Sequence, residues 1–279
     1  MREVSRILAL GISLLAVGGS PGGPSSATSP QADTRTESAQ DDLRFVVSQA
    51  QRVQEADVLA WASYRFGRRS EREDYDDSGQ VVARDDLEFV VTPDKAGFRE
   101  DLVRHNGVPP EPAEQDHHRR AGSFGRHYRT LLAGVGGEEE EGGYSLGQLL
   151  HLSSYRFAGR ESLNGVDCYR LDFSPDDVQP RMSGLAAKFT KAMSGSLWIT
   201  VEGFHLAGAK AETVRPISIA LSLSKVYSLK VRMDAGPVGE GVWLPERVEV
   251  ITSARILIKS IRRRNLFTYS DFLRLEPPG

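Results

Sequence analysis

Apolar and polar residues alternate along residues 217–233. The odd positions of this segment carry the apolar side chains of Ile217, Ile219, Leu221, Leu223, Tyr227, Leu229, Val231 and Met233. Lys225 alone interrupts this set, and most even positions hold Ser, Lys or Arg. Successive side chains of a strand point to opposite faces, so the pattern predicts β structure with one buried face. The length of the segment predicts one long curved strand, or two strands with a bend near Ser224 and Lys225.

A helical period precedes the strands. Leu43, Val46, Val47, Ala50 and Val53 recur three or four residues apart, after two aspartates at 41 and 42 that can serve as the N-cap. From Val58 onward the period is two, which indicates antiparallel hairpins. Turn signals separate them at Asp77-Ser78-Gly79, Thr92-Pro93-Asp94, Asn106-Gly107 and Asn164-Gly165.

The strand pattern is interrupted between residues 111 and 141. A polar helix followed by an acidic loop at 136–143 is predicted there, and a short amphipathic helix at 145–152. Strands are again expected up to the last residues. We find no internal repeat, so residues 41–279 are predicted to form a single domain.

The N-terminal residues predict export. A basic start is followed by an apolar run from Ile7 to Val17 and by small residues that end at Ala27. This is the order of a signal peptide, predicted here as residues 1–27 with Gly18 as the alternative cleavage site. Residues 28–40 read as a flexible linker because they are rich in Ser, Thr, Gln and Pro. No apolar run is long enough for a transmembrane helix in the mature chain, and periplasmic localisation is expected.

Composition narrows the class of protein further. The formal net charge is −3 and no long basic stripe exists, so nucleic acid is not an expected partner. The only cysteine is Cys168, which excludes an internal disulfide and leaves no Cys after the leader for lipid attachment.

We find no sequence motif for catalysis or metal binding. No serine has nucleophile-elbow spacing, and no histidine pair has helical metal-ligand spacing. Asp74 to Asp85 copies part of a calcium loop, but its last position is Asp rather than Glu, and a hairpin turn explains the same residues. Adjacent carboxylates such as Glu100 and Asp101 point to opposite faces of a strand. We therefore predict no catalytic residue, metal or cofactor.

Large apolar side chains remain as the candidate site. The three tryptophans, Trp61, Trp198 and Trp243, together with the 217–233 stripe, are predicted to line an apolar ligand cavity. An ordinary core that is filled by the predicted helices is the alternative. Arg262, Arg263 and Arg264 are candidates for contact with a headgroup or an acidic partner, although a solvated strand edge is the favoured interpretation.

Several segments resemble a known family. They are LEFVVTPDKAGFREDLVRHNGVPP at 87–110, FAGRESLNGVDCYRLDFSP at 157–175, SGSLWI at 194–199, GVWLPERVEV at 241–250 and TYSDF at 268–272. In this order they resemble the LolA-like, outer-membrane lipoprotein-sorting-like periplasmic proteins. The chain departs from that pattern at residues 200–206, after the tryptophan.

The resemblance implies a mainly β (α+β) fold, a strongly curved antiparallel half-open β-barrel with covering helices. It also implies an apolar cavity for a lipid or the acyl chains of a lipoprotein, without catalysis. A single buried arginine holds the covering helix in the family's carriers, and its equivalent is not placed here. The alternative that the resemblance offers is a sensor of the MucB/RseB kind that binds an envelope protein. An unrecognised enzyme is the third hypothesis.

Overall fold

Strands account for most of the described chain. The computed structural model describes residues 34–95, 97–125, 128, 153–175, 188, 191–219 and 224–276. Within these ranges the helices are α1 (Thr34–Ala60) and α2 (Pro112–Ala121), and a 3-10 turn spans Trp61–Ser63. The strands are β1 (Tyr64–Tyr75), β2 (Val81–Asp94), β3 (Gly97–His105), β4 (Ser153–Leu163), β5 (Val166–Pro175), β6 (Met193–Thr200), β7 (Leu206–Thr213), β8 (Ile217–Ile219), β9 (Ser224–Gly239), β10 (Val242–Ile256) and β11 (Lys259–Arg274).

All eleven strands belong to one antiparallel sheet. Its order is β3-β2-β1-β11-β10-β9-β7-β6-β5-β4, and the short β8 pairs with β9 beside β7. The end strands β3 and β4 do not pair with each other, so the sheet is not closed. Helix α1 contacts both β10 and the end strand β4, with four strands between them. The sheet therefore curls around α1, and the predicted curved, half-open antiparallel architecture is confirmed.

The short turns follow the predicted chemistry. Asn106-Gly107 and Asn164-Gly165 have positive φ at both residues, between 50° and 84°. Two positive φ angles define the hairpin turn that matches the twist of antiparallel strands, and Asn-Gly is the sequence that adopts it most easily. The Asn164-Gly165 turn joins β4 to β5, and the Asn106-Gly107 turn follows β3 and closes a single bridge between His105 and Val108.

Helix α1 is longer than the sequence pattern predicts. It begins at Thr34, so residues 34–40 are helical where a flexible linker was expected, and the two aspartates at 41 and 42 lie inside the helix rather than at its N-cap. The segment 34–40 contains no Gly or Pro, so nothing in it interrupts the helix. The helix also continues to Ala60, past the point at which strands were expected. Its buried apolar side chains are those of Val46, Ala50 and Val58.

The 217–233 stripe forms two strands rather than one. Ile219 pairs with Ser224, so β8 and β9 are antiparallel partners rather than one continuous strand. Residues 220–223, which include Leu221 and Leu223, lie outside the described residues. The prediction of one long strand is therefore wrong, and the alternative of two strands is the one that agrees with the strand bounds.

A bulge in β9 reverses the alternation within the stripe. Ser228 pairs with Ser253 and Val226 with Ala254, so Tyr227 is an extra residue in β9. Before Tyr227 the buried residues are at even positions, Ser224 and Val226. After it they are at odd positions, Leu229, Val231 and Met233. One extra residue moves the following side chains to the opposite face. Tyr227, predicted to be buried, is consequently exposed.

Other predictions lie outside the described residues. These are the signal peptide at 1–27, the acidic loop at 136–143 and the short helix at 145–152. In the part of the chain that the structure describes, no helix is both long and apolar enough to cross a bilayer.

Candidate functional site

The concave face of the sheet carries the main apolar surface. Its largest fully buried side chains are those of Tyr64, Phe66, Leu102, Phe124, Leu171, Met193, Leu197, Ile199 and Leu229. Trp61, in the 3-10 turn after α1, packs edge-on against Phe66 and Tyr269. Helix α1 covers this face with Val46, Ala50 and Val58. Apolar side chains from β1 to β11 therefore share one cluster under the helix.

A buried ion pair lies within that apolar surface. Arg68 of β1 donates from Nη2 to Glu100 Oε2 of β3 over 2.7 Å, and both side chains are more than nine-tenths buried. Ser123 Oγ, after α2, accepts from Arg68 and donates to Glu100 at 2.9 Å in each case. The backbone N–H of Phe124 donates to the other Glu100 oxygen. The pair thus attaches the segment after α2 to two strands of the sheet.

A second polar link attaches helix α1. Asp57, near the end of the helix, is 2% exposed and has its Oδ2 2.9 Å from Nδ1 of His205. Its Oδ1 accepts a hydrogen bond of 3.0 Å from the backbone N–H of Trp243, whose ring stacks on His205. Burial raises the pKa of Asp57, and the hydrogen bonds from His205 and Trp243 oppose that rise. Asp57 therefore joins α1 to the β6–β7 turn and to the start of β10.

Some buried polar atoms on the concave side have no partner. Arg68 Nε, Thr252 Oγ1, Asn265 Nδ2 and Gln54 Oε1 make no hydrogen bond within the part of the chain that the structure describes, and each of the four residues is at least 90% buried. Thr252 shares its face with Val250 and Ala254, and Asn265 is the cross-strand neighbour of Val250. A buried donor or acceptor without a partner costs free energy.

The predicted tryptophan set is divided between the two faces of the sheet. Trp61 lies in the concave core, but Trp198 belongs to a separate small cluster with Cys168 and Ala207, next to Trp243. The Trp198 ring lies 5.3 Å from Lys210 Nζ, and its Nε1 donates to Glu161. Its strand neighbours Leu197 and Ile199 face the core instead. The expectation that all three tryptophans line one apolar surface is therefore wrong, because Trp198 and Trp243 occupy convex-face positions of their strands.

The stripe residues are placed unevenly. Ile217, Leu229, Val231 and Met233 are buried in the concave core as expected. Ile219 is the last residue of β8. Tyr227 is exposed as described above, and Leu221 and Leu223 lie outside the described residues. Four of the predicted positions thus contribute to the surface that α1 covers.

The three arginines lie in the interior of the sheet. They belong to β11, which is paired on both sides with β1 and β10, so the favoured interpretation of a strand edge is wrong. Each faces a carboxylate: Arg263 faces Asp74 at 2.5 Å, Arg264 faces Glu249 at 2.6 Å and Arg262 faces Asp77 at 3.9 Å. The partners lie 15 to 189 residues away in sequence, so the run of three arginines did not reveal them.

The calcium-like loop is a hairpin turn, as the alternative interpretation predicts. Asp76 Oδ1 accepts hydrogen bonds from Ser78 and from the backbone N–H of Gln80, at 2.7–2.9 Å. Asp74 is occupied by Arg263 and Arg72. Among the described residues, no group of three or more His, Cys, Asp or Glu side chains is arranged to hold a metal ion.

Several buried polar residues were missed by the sequence interpretation. Arg68, Asp57 and His205 have no motif, and each becomes notable only through a partner at least 32 residues away. For Glu100 a signal existed, because adjacent carboxylates in a strand were expected to face opposite ways. The structure confirms this: Glu100 is buried, whereas Asp101 pairs with Arg99 and Arg119 on the outside.

These features describe a half-open antiparallel barrel. The open, curled sheet has an apolar concave face that helix α1 covers, and buried polar atoms lie on the same side.

Comparisons with known proteins find similarity only among solved structures. No family model and no curated protein matches the chain. Among solved structures, a DUF1329 family protein from Desulfovibrio piger is similar with 13% identity and a TM-score of 0.34, over 85% of this chain and 94% of the other. A LolA superfamily protein from Nitrosomonas europaea has 11% identity and a TM-score of 0.31, over 86% and 94%.

A MucA/MucB complex from Pseudomonas aeruginosa is similar with 10% identity and a TM-score of 0.23, over 81% of this chain and 99% of the other. The predicted LolA-like resemblance is thus found again among solved structures.

Proposed function

We propose that the protein is an exported, non-catalytic binder or carrier of an amphiphile, such as a lipid or an acylated lipoprotein. The ligand's apolar chain would occupy the concave face beneath α1. The observation that carries the proposal is a pair of polar atoms, Thr252 Oγ1 and Asn265 Nδ2, that have no hydrogen-bond partner among the described residues and lie next to the apolar side chain of Val250. An amphiphile offers both parts at once: chains that bury apolar area and a polar group that satisfies those atoms.

Helix α1 is the element that would move to admit the ligand. Its packing on the sheet is through small and medium side chains, Val46, Ala50 and Val58. The hydrogen-bonded link at Asp57 is close to its C-terminal end, whereas Phe45, farther toward its N-terminal end, is 54% exposed. We therefore expect α1 to lift from its N-terminal end while the Asp57 link holds.

The first test is binding of a defined probe. We expect purified protein to bind 11-(dansylamino)undecanoic acid with an increase and blue shift of dansyl emission, competed by palmitate. The variant Thr252→Val removes an unpartnered hydroxyl at nearly constant shape. It should weaken probe binding about fivefold, the value of one net hydrogen bond, without lowering stability.

The matched control is Ser253→Ala on the neighbouring position of β10, which faces the other side of the sheet. It should leave probe binding unchanged. Absence of probe binding by the wild-type protein, together with native mass spectra of periplasmic protein that carry no lipid, would contradict the proposal. A loss of binding in both variants would contradict the placement of the ligand on the concave face.

Export is part of this proposal. A fusion of residues 1–40 to alkaline phosphatase should be active in the periplasm, since that enzyme needs an oxidising compartment for its disulfides. A fusion that begins at residue 28 should be inactive. Equal activity of the two fusions would remove the support for a leader.

A protein partner is the second candidate function. Strand β4 is an end strand that pairs only with β5 among the described strands, and a free strand edge can accept a strand of another chain. The Arg262–Arg264 segment no longer supports this alternative, since its charges are paired within the sheet. A Pro substitution at Arg156 in β4 should abolish a partner complex isolated from periplasmic extract while probe binding persists.

A further inference from the structure

The hairpin between β10 and β11 exposes two aliphatic side chains at its tip. Ile256 pairs with Lys259, so Leu257 and Ile258 form a two-residue turn. Ile258 is 98% exposed and Leu257 is 62% exposed. We call these two residues the β10–β11 tip. Because these aliphatic side chains are exposed, they do not stabilise the fold through apolar burial.

The backbone of the tip makes this composition costly. Leu257 has a φ of +54°, a left-handed value that glycine adopts without cost and that a larger side chain resists. In a two-residue hairpin turn with positive φ at its first position, Gly is the preferred residue. Neither local conformation nor packing explains Leu and Ile here. Strain that the fold does not require is a reason to look for a function.

Positive charges surround the tip. Arg255 lies directly opposite Lys225 on β9, and Lys259 follows the tip on β11. Like charges at facing positions destabilise a sheet. No ion pair joins these three side chains to a carboxylate in the described part of the chain, although Lys225 Nζ lies 5.5 Å from the Tyr227 ring. On the neighbouring hairpin, Arg262 faces Asp77 at 3.9 Å.

We propose that the β10–β11 tip inserts into the surface of an anionic lipid bilayer. Leu257 and Ile258 enter the boundary between headgroups and acyl chains, while Arg255, Lys259 and Lys225 contact lipid phosphates. Apolar side chains rimmed by cations are the composition that binds such surfaces, through apolar burial and attraction to anionic headgroups together. The contact uses residues separate from the concave face, so it does not depend on the amphiphile proposal.

The test is flotation of the full chain with vesicles. The wild-type protein should float with vesicles of phosphatidylethanolamine and phosphatidylglycerol, and much less with vesicles of phosphatidylcholine alone. Ile258→Asp should lower the partition coefficient about tenfold or more, since it removes the burial of one aliphatic side chain. Val214→Asp is the matched control, because Val214 is also an exposed aliphatic residue, and it should leave flotation unchanged.

A second variant separates this role from a structural one. Leu257→Gly with Ile258→Asn gives the turn a sequence that its backbone prefers, so the protein should be as stable as the wild type or more stable. It should nevertheless lose flotation. A stable double variant that floats like the wild type would overturn the proposal.

Insertion itself can be read at the tip. Ile258→Cys can be labelled with an environment-sensitive dye because the native Cys168 is fully buried. Dye emission should shift to the blue on addition of anionic vesicles. The absence of a shift would overturn the proposal. A blue shift that depends on protein concentration in the absence of vesicles would also overturn it, because the tip would then contact a second copy of the chain.

Discussion

Two buried polar links on the concave side differ in the chemical groups that form them. Arg68 and Glu100 form an ion pair that Ser123 and Phe124 complete from the segment after α2. Asp57 and His205 join α1 to the sheet with Trp243 as a third partner. An arginine keeps its charge at every physiological pH, whereas burial raises the pKa of the Asp57 carboxyl above its ordinary value.

The difference suggests a division of roles. The Arg68–Glu100 ion pair connects β1 and β3, which lie on the two sides of β2 in the sheet. The hydrogen bond between Asp57 and His205 attaches helix α1, which covers the core, to the β6–β7 turn. Substitutions and changes of pH should distinguish the two links.

Removal of the Glu100 charge should have the largest effect on stability. Glu100→Gln leaves the Arg68 guanidinium buried without its counter-charge, which costs about 3–5 kcal/mol in the free energy of unfolding. Urea unfolding followed by tryptophan fluorescence measures it. Glu88→Gln, which breaks the exposed pair with Arg104, is the matched control and should cost less than about 1 kcal/mol. Equal decreases in the free energy of unfolding in the two variants would show that the buried ion pair does not stabilise the fold more than the exposed one.

Removal of the Asp57 carboxyl should have a smaller and more local effect. Asp57→Ala leaves the Trp243 N–H and His205 without their acceptor, at a cost of about 1–3 kcal/mol. Hydrogen exchange of α1 should become faster, with little change in β1, β2 and β3. Uniform acceleration throughout the sheet would contradict a local role for this link.

The pH dependence of stability should also separate the links. Because burial raises the pKa of Asp57, its contribution to stability is fully present below its ordinary value of 3.8 and is lost as the pH rises through the folded-state pKa. Asp57→Asn removes this contribution. The stability difference between wild type and Asp57→Asn should therefore decline as the pH rises across that interval. A difference that is constant with pH would contradict the raised pKa.

The smallest effect on stability is expected for His105, a partly exposed histidine. Hydrogen bonds to Asp85 and Glu114, at 2.8 and 2.5 Å, raise the pKa of His105. Its stabilisation is fully present below its ordinary value of 6.5 and is lost as the pH rises through the folded-state pKa. His105→Gln should remove at most about 1 kcal/mol, and only at the acidic end. Thermal melts at pH 6 and pH 9 measure the difference, and equal losses at both would contradict it.

Local sequence predicted those features that depend on neighbours in the chain. The Asn106-Gly107 and Asn164-Gly165 turns, the buried side of α1 and the opposite directions of Glu100 and Asp101 all follow from a few adjacent residues. The antiparallel class followed from the period of two. Such features need only the geometry of one strand, helix or turn.

The candidate site was predicted less well. The stripe at 217–233 reads as a single face, but a hairpin and a bulge at Tyr227 divide it, and neither interrupts the pattern of apolar residues. Trp198 and Trp243 read as core residues by type, yet their strand positions face the convex side. A hydrophobicity pattern gives the alternation of a strand, but it does not tell which face is covered.

Side-chain alternation and turn chemistry are local, so the amino-acid sequence alone predicts a series of antiparallel strands after one amphipathic helix. Which polar residues are buried together depends on tertiary contacts. Arg68 meets Glu100, and Asp57 meets His205 across 148 positions, because the curled sheet brings distant strands under one helix. Pairing between segments far apart in sequence leaves no periodic signal, so the links that define the concave face became visible only in the fold.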